Sequence, residues 1–335
     1  MSPILTVNPL HPQTELISRA ARILQAGGLV AFPTETVYGL GANALDAAAV
    51  SKIFTVKERP ATNPLIVHVH DAEAAQALVR VWPETARKLG QKLWPGPLTL
   101  VLPKQKEIPD KVTAGLDSVA LRVPSHPVAQ ALLKISGLPV AAPSANRSSQ
   151  LSPTTAQHVE KALGNQVELI LDGGATNVGI ESTVVDLTRE RPLLLRPGVI
   201  SLSELQAILG DIEIPEKPVH DREPRPSPGM MERHYAPRAS LILFQAQDFE
   251  EIQEMVKREN LKGGKVGALL LTSLELPLQH PMVMPLEAAS YARLLYAALH
   301  SLDDLGCTLI LVERVPEEPR WAAIQDRLKR AAHPG

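Results

Sequence analysis

Apolar residues recur every three to four positions through "TELISRAARILQA" and stop at Gly27 and Gly28, so the spacing predicts an amphipathic helix with Thr14 as its N-cap. The next block, "LVAF", is short and wholly apolar, as a buried strand requires. The alternation continues. Helices are expected after Asp46, after Asp71, around "TARKLGQKLW" and from Pro127 to Ile135, with strands at "LIVHV", "LTLVL", "VALRV" and "LPVAA". Beyond a helix near "TTAQHVEKAL", the blocks "VELILD", "STVVDL" and "PLLLR" follow with little helix between them. Strands separated by helices, then strands run together, predict an α/β fold over 1–209: a mixed twisted sheet with flanking helices.

From Gly210 to Pro237 the periodicity vanishes in a charged, proline-rich stretch that is too long for a structureless loop inside one domain. It reads as a linker. Alternation resumes with "LILF", a helix from Phe249 to Glu259, "KVGALLL", "VMPL", a helix around "YARLLYAALHSL", "LILVERV" and a closing helix "WAAIQDRLKRAA". That regular exchange of strand and helix predicts a smaller Rossmann-like parallel α/β domain over 238–335.

Composition narrows the function. A chain of 335 residues suits two domains. Aromatics at 3% argue against a base-stacking platform, and a net charge of −2, split as +2 before residue 209 and −4 after it, supplies no dense basic face for nucleic acid. The single cysteine, Cys307, cannot form an internal disulfide and is expected to be a buried, inert thiol beside "TLILV". No apolar run approaches the roughly 18 residues of a membrane span and the N-terminus lacks signal-peptide character, so a cytoplasmic protein without membrane contact is expected.

Polar groups stand at the mouths of the apolar blocks. In "SKIFTVKERPATNPLIVHV", Lys57, Arg59 and Asn63 share a loop pinned by Pro60 and Pro64, which fixes where the donors point. In "PTETVYGLG", Thr34, Glu35, Thr36 and Tyr38 precede Gly39 and Gly41; "GLGANA" fits a dinucleotide fingerprint poorly, because five residues and Tyr38 separate it from its strand and Arg59 stands where an acid belongs. Arg122 in "ALRVPSHP" is either an edge residue facing water or a placed donor fork. Ser144 and Asn146 in "PVAAPSANRSSQLSPT" are anion donors or ordinary turn residues, with Ser152 expected to cap the next element. His68 within "LIVHV" reads as a core histidine or a ligand contact. Lys57, Arg59, Arg122 and Arg196 together suit a substrate with several negative charges. There is no Walker loop, HExxH, paired cysteine or GxSxG, so a nucleotide must be held by side chains, and no transition-metal site or serine nucleophile is signalled.

In this order "FPTETVYGLG", Lys57 with Arg59, "NPLIVHV", "WPGPLTLVL", "TAGLDSVALRVPSHP", "APSAN", "GIESTVVD" and "LLRPG" resemble the YrdC-domain family. The later "SPGMMERHYAP" before a small α/β domain resembles its two-domain members, the threonylcarbamoyl-AMP synthases. The resemblance implies that L-threonine, bicarbonate and ATP, with Mg²⁺, give threonylcarbamoyl-AMP and pyrophosphate, the product passing to downstream threonylcarbamoyl-transferase proteins that modify tRNA. It implies catalytic roles for Lys57 and Arg59, and nucleotide contacts from Lys57, Arg59, Asn63, Ser118, Ser144, Asn146, Ser152 and Arg196. Threonine contacts fall on Thr36, His68, Arg122, Ala142 and Ser182, and an active-site lid over 210–237 would use Gly229, Met230, His234 and Tyr235. Glu232 stands where some members carry a nucleotide-contacting tyrosine, a contact an acid cannot copy. No general base stands out; Glu35 is a candidate by proximity, with a turn or capping role as the alternative. Stable direct tRNA binding is not expected, and the rival reading is a double-stranded RNA or nucleotide-binding module without synthase activity.

Overall fold

Residues 2–214, 234–272 and 278–333 are described in the computed structural model of the chain; Gly229, Met230 and Glu232 lie outside them. The described residues divide into one unit of 2–148 with 152–214 and another of 149–151 with 234–333. The first unit runs β1 (Ile4–Thr6), α1 (Thr14–Gln25), β2 (Val30–Pro33), β3 (Tyr38–Asn43), α2 (Ala47–Lys57), β4 (Ile66–His68), α3 (Ala72–Gln76), α4 (Glu84–Leu93) and β5 (Leu98–Pro103). It continues α5 (Asp110–Thr113), β6 (Ser118–Arg122), α6 (Pro127–Ser136), β7 (Val140–Ala141), α7 (Ala156–Leu163), β8 (Leu169–Asp172), β9 (Thr183–Asp186), β10 (Leu193–Arg196) and α8 (Leu202–Leu209). Its ten strands form one mixed sheet in the order β1-β8-β2-β3-β7-β4-β6-β5-β9-β10.

Local chemistry explains most helix starts. Asp46 accepts from the backbone N–H groups of Ala48 and Ala49 to begin α2, and Asp71 accepts from Ala74 to begin α3. Thr14 is not the cap of α1: Gln13 holds that position without a side-chain bond, and Thr14 is the first helical residue. Nor is Ser152 the cap of α7; Thr155 starts that helix by accepting from His158 N. The stretch "YGLGAN" is neither loop nor nucleotide fingerprint but β3, paired antiparallel with β2. A Cβ on Gly41 would lie 2.8 Å from both Phe32 Cε1 and Val140 Cγ1, so glycine there serves close packing.

Alternation along each strand sorts the core onto two faces. Ala31, Val67, Leu100, Leu121, Ile170 and Val185 join the larger cluster on one face. On the other, Val30, Phe32, Val140, Leu169 and Leu171 pack against Ile17, Ala20 and Leu24 of α1 and Val128, Leu132 and Leu133 of α6. A separate small cluster, Ile66, Val101, Ala120, Val184, Leu193 and Leu195, draws only on strands, with no helix among its members.

The second unit runs β11 (Ser240–Phe244), α9 (Phe249–Leu261), β12 (Val266–Leu270), β13 (His280–Val283), α10 (Ala288–Asp304), β14 (Leu309–Glu313) and α11 (Ala322–Ala331). Its four strands are all parallel, in the order β11-β14-β12-β13. The block "VMPL" overshoots: β13 ends at Val283, two residues before Pro285. Cys307 is buried, and burial raises its thiol pKa. No helix among the described residues is long and apolar enough to cross a membrane.

Candidate active site

Strand register builds a polar row across the first sheet. Val140 on β7 pairs with His68 on β4, His68 with Arg122 on β6, Arg122 with Thr99 on β5, and Thr99 with Val184 on β9. Period-two alternation puts His68, Arg122 and Thr99 on the same face as Ile66, Ala120 and Val101, the cluster that has no helix. Elsewhere on this face α1 and α6 pack over the strands; here His68, Arg122 and Thr99 line up beside a cluster drawn from strands alone. Ser118 shares that face at the start of β6, roughly 13 Å along the strand from Arg122.

Arg122 is hydrogen-bonded from one side only, with Glu35 Oε1 2.7 Å from Nη2 as an ion pair. Its Nη1 donates to Thr36 Oγ1 at 2.9 Å, while Nε and Nη2 make no hydrogen bond although the residue is buried. Thr36 is fixed in turn by the 34–37 turn: its amide and hydroxyl both meet Thr34 Oγ1, and its carbonyl accepts from Gly179 N. His68 is buried with Nδ1 unpartnered; burial first, then the Arg122 charge, pushes the imidazole pKa down to about 3, so it is neutral at ordinary pH. Ala142 follows β7, its N–H bonded to Ile66 O at 2.9 Å.

Thr99 closes the row. Its hydroxyl lies 2.7 Å from Ser182 Oγ, and Arg196 reaches the same serine through Nη2 to Oγ at 3.1 Å and Nε to O at 3.0 Å. Ser152 Oγ donates to Glu181 Oε1 beside it. Thus Thr36, His68, Arg122, Ala142, Ser182 and Arg196 come together through register and hydrogen bonds. Thr99 is an addition; inside "LTLVL" a threonine reads as an ordinary strand former.

The cationic loops form a second cluster. Lys57 ends α2 fully buried, and its Nζ donates to Ser144 O at 2.6 Å, to Asn146 O, and to Asn146 Oδ1 at 3.3 Å. Its own carbonyl accepts from Ser148 N. Lys57 therefore ties the Ser144–Asn146 turn to the end of α2. Burial, with Arg59 second, lowers its pKa well below the usual lysine range. Arg59 closes the proline-pinned loop on itself, Nε to Asn63 O at 3.0 Å and Nη2 to Pro64 O at 2.7 Å.

His234 and Tyr235 belong to the second unit. Tyr235 is buried at φ 61°, packs on Tyr296 with ring centroids 5.9 Å apart and lies 5.2 Å under the Arg327 guanidinium, while His234 N donates to Arg330 O. Among the described residues no group of three His, Cys, Asp or Glu is placed to hold a metal ion.

Residues 22–198 match the family described as Telomere recombination, and residues 200–333 the one described as Threonylcarbamoyl-AMP synthase, C-terminal domain. The chain is 44% identical over 317 residues to threonylcarbamoyl-AMP synthase of Pyrococcus abyssi, covering 93% of each. The crystal structure of P. abyssi Sua5 complexed with L-threonine is similar with a TM-score of 0.91 at 42% identity, covering 99% of this chain and 98% of that one. A structure of H234A/Y235A P. abyssi Sua5 gives a TM-score of 0.91 at 41% identity, over 99% and 96%.

Proposed function

Because the chain belongs to the threonylcarbamoyl-AMP synthase family, we propose that it joins L-threonine, bicarbonate and ATP into threonylcarbamoyl-AMP and pyrophosphate. The observation that carries this reading is Arg122: a buried guanidinium, braced at Nη1 by Thr36, with no hydrogen bond at the donor edge Nε–Nη2, beside which Glu35 Oε1 lies 2.7 Å from Nη2. That edge matches a carboxylate bidentately. Threonine then lies with its carboxylate on Arg122 and Ser182, its hydroxyl within reach of Thr36 and the neutral His68, and its methyl group toward Ala142.

ATP extends from there over the apolar strand cluster toward Ser118, its phosphates drawn by Arg59, Arg196, Asn63 and Ser152 and by the Ser144–Asn146 turn that Lys57 braces. The three substrates bring about six negative charges together, so fixed cations are the first requirement of catalysis. The neutral amine adds to bicarbonate, giving the carbamate and water; a carbamate oxygen then attacks the α-phosphorus in line and pyrophosphate leaves. Positioning and charge compensation supply the rate. A divalent ion such as Mg²⁺, entering with ATP, would add further charge neutralisation on the triphosphate.

In this reading residues 1–209 are the catalytic domain, 238–335 the small domain, and 210–237 a lid carrying Gly229, Met230, His234 and Tyr235 that keeps water from a labile acyl-adenylate. The product, a mixed anhydride, suits a downstream transferase acting on a tRNA base. Incubation with ¹³C-bicarbonate, threonine and ATP tests the assignment: threonylcarbamoyl-AMP one mass unit heavy supports it, and AMP with an unlabelled product contradicts it.

A further inference from the structure

Arg122 has a buried neighbour that the threonine contacts above leave unused. Glu35 Oε1 lies 2.7 Å from Arg122 Nη2, yet neither atom is in a hydrogen bond: the charges touch at an angle that aligns no donor with an acceptor. Both side chains are anchored elsewhere. Arg122 is fixed through Nη1 on Thr36, and Glu35 through Oε2, which accepts from Ser125 N at 3.1 Å, while the Glu35 carbonyl accepts from Val178 N. What remains is one cationic edge and one anionic oxygen, side by side, nine-tenths buried or more and without a hydrogen bond.

A buried ion pair of this kind is poorly compensated, because desolvation of both charges is offset only when the remaining donors and acceptors are satisfied. An α-amino acid zwitterion has the missing complement. Its carboxylate fits the Nε–Nη2 edge, and its ammonium group, one carbon away, falls beside Oε1. Resting on the assignment of Arg122 to the threonine carboxylate, we infer that Glu35 receives the substrate's α-amino group and is the residue by which the site selects an amino acid over the corresponding hydroxy acid. In the unliganded protein the same carboxylate partly neutralises Arg122. A ligand bearing only a carboxylate must approach Arg122 against that negative charge, whereas a zwitterion brings its own answer to it.

Calorimetric titration of the full-length protein with L-threonine and with (2S,3R)-2,3-dihydroxybutanoate, which replaces the amine by hydroxyl, tests this. Wild type should bind threonine far more tightly than the analogue. Glu35→Gln should weaken threonine by about 30-fold and leave the analogue unchanged or tighter, since a charged hydrogen bond is lost for one and a repulsion for the other. A bracing role for Glu35 would weaken both ligands by the same factor, and that result overturns the inference. Glu35→Asp keeps the charge one methylene shorter and covers failure of the glutamine variant to fold: a fall in the threonine-to-analogue ratio supports the inference, and equal weakening overturns it. Absence of threonine binding to wild type would instead defeat the underlying assignment of Arg122.

Discussion

The ammonium group of Lys57 lies 2.6 Å from the carbonyl oxygen of Ser144, a residue 87 positions away, and reaches both oxygens of Asn146 as well. The cation at the end of α2 thus sets the shape of the turn that presents Ser144 and Asn146. Lys57→Met keeps the aliphatic stem but removes the donor that Ser144 O, Asn146 O and Asn146 Oδ1 share, a loss of about 1 to 3 kcal/mol for each charged hydrogen bond. Denaturant unfolding should show a loss of about 2 to 4 kcal/mol, and KM for ATP should rise at least tenfold, with the affinity for threonine little changed. Unaltered stability would mean the turn holds its shape without the lysine.

His68 ties stability to pH. Its folded-state pKa of about 3 lies below the ordinary histidine value of 6.5, so the unfolded chain binds the extra proton between those values. The contribution from burying the neutral ring is complete above pH 6.5 and is lost as pH falls toward 3. Between pH 7 and pH 5 it amounts to about 2 kcal/mol. Denaturation curves at the two pH values should differ less in His68→Gln than in wild type; equal acid sensitivity would mean that the ring is protonated as readily folded as unfolded.

Gly41 tests the reading of β3 as packed strand. Gly41→Ala puts a methyl group against Phe32 and Val140 and should destabilise the protein by about 1 to 3 kcal/mol. Thermal unfolding measures this, and a melting temperature equal to that of wild type would contradict the packing account.

The aliphatic blocks made most of the sheet legible. "LIVHV" and "VALRV" also displayed His68 and Arg122 as polar residues where strands should be apolar, and matching motifs gave each a role to expect. β3 escaped because glycine has no side chain to carry a period-two signal; its strand character comes from the neighbours that fill the space around it. α8 escaped although Ser201 and Glu204 form a capping box with the sequence spacing such boxes have. Thr99 joins the site only through the register of β5 with β6 and β9, and the grip of Lys57 on the Ser144–Asn146 turn spans too much chain for any local pattern. Which elements form is largely local; which polar groups meet is decided by pairing.

The proposed nucleophile is the carbamate of threonine and not its carboxylate. Pyrophosphate release from ATP and Mg²⁺ separates the two, measured with L-threonine in buffer stripped of carbon dioxide and again after bicarbonate is restored. An enzyme that activates the carboxylate directly, as in ordinary amino-acid adenylation, ignores bicarbonate. With the carbamate as nucleophile, release is expected only when threonine and bicarbonate are both present. Release from ATP and threonine alone, at a rate that bicarbonate does not change, would contradict it.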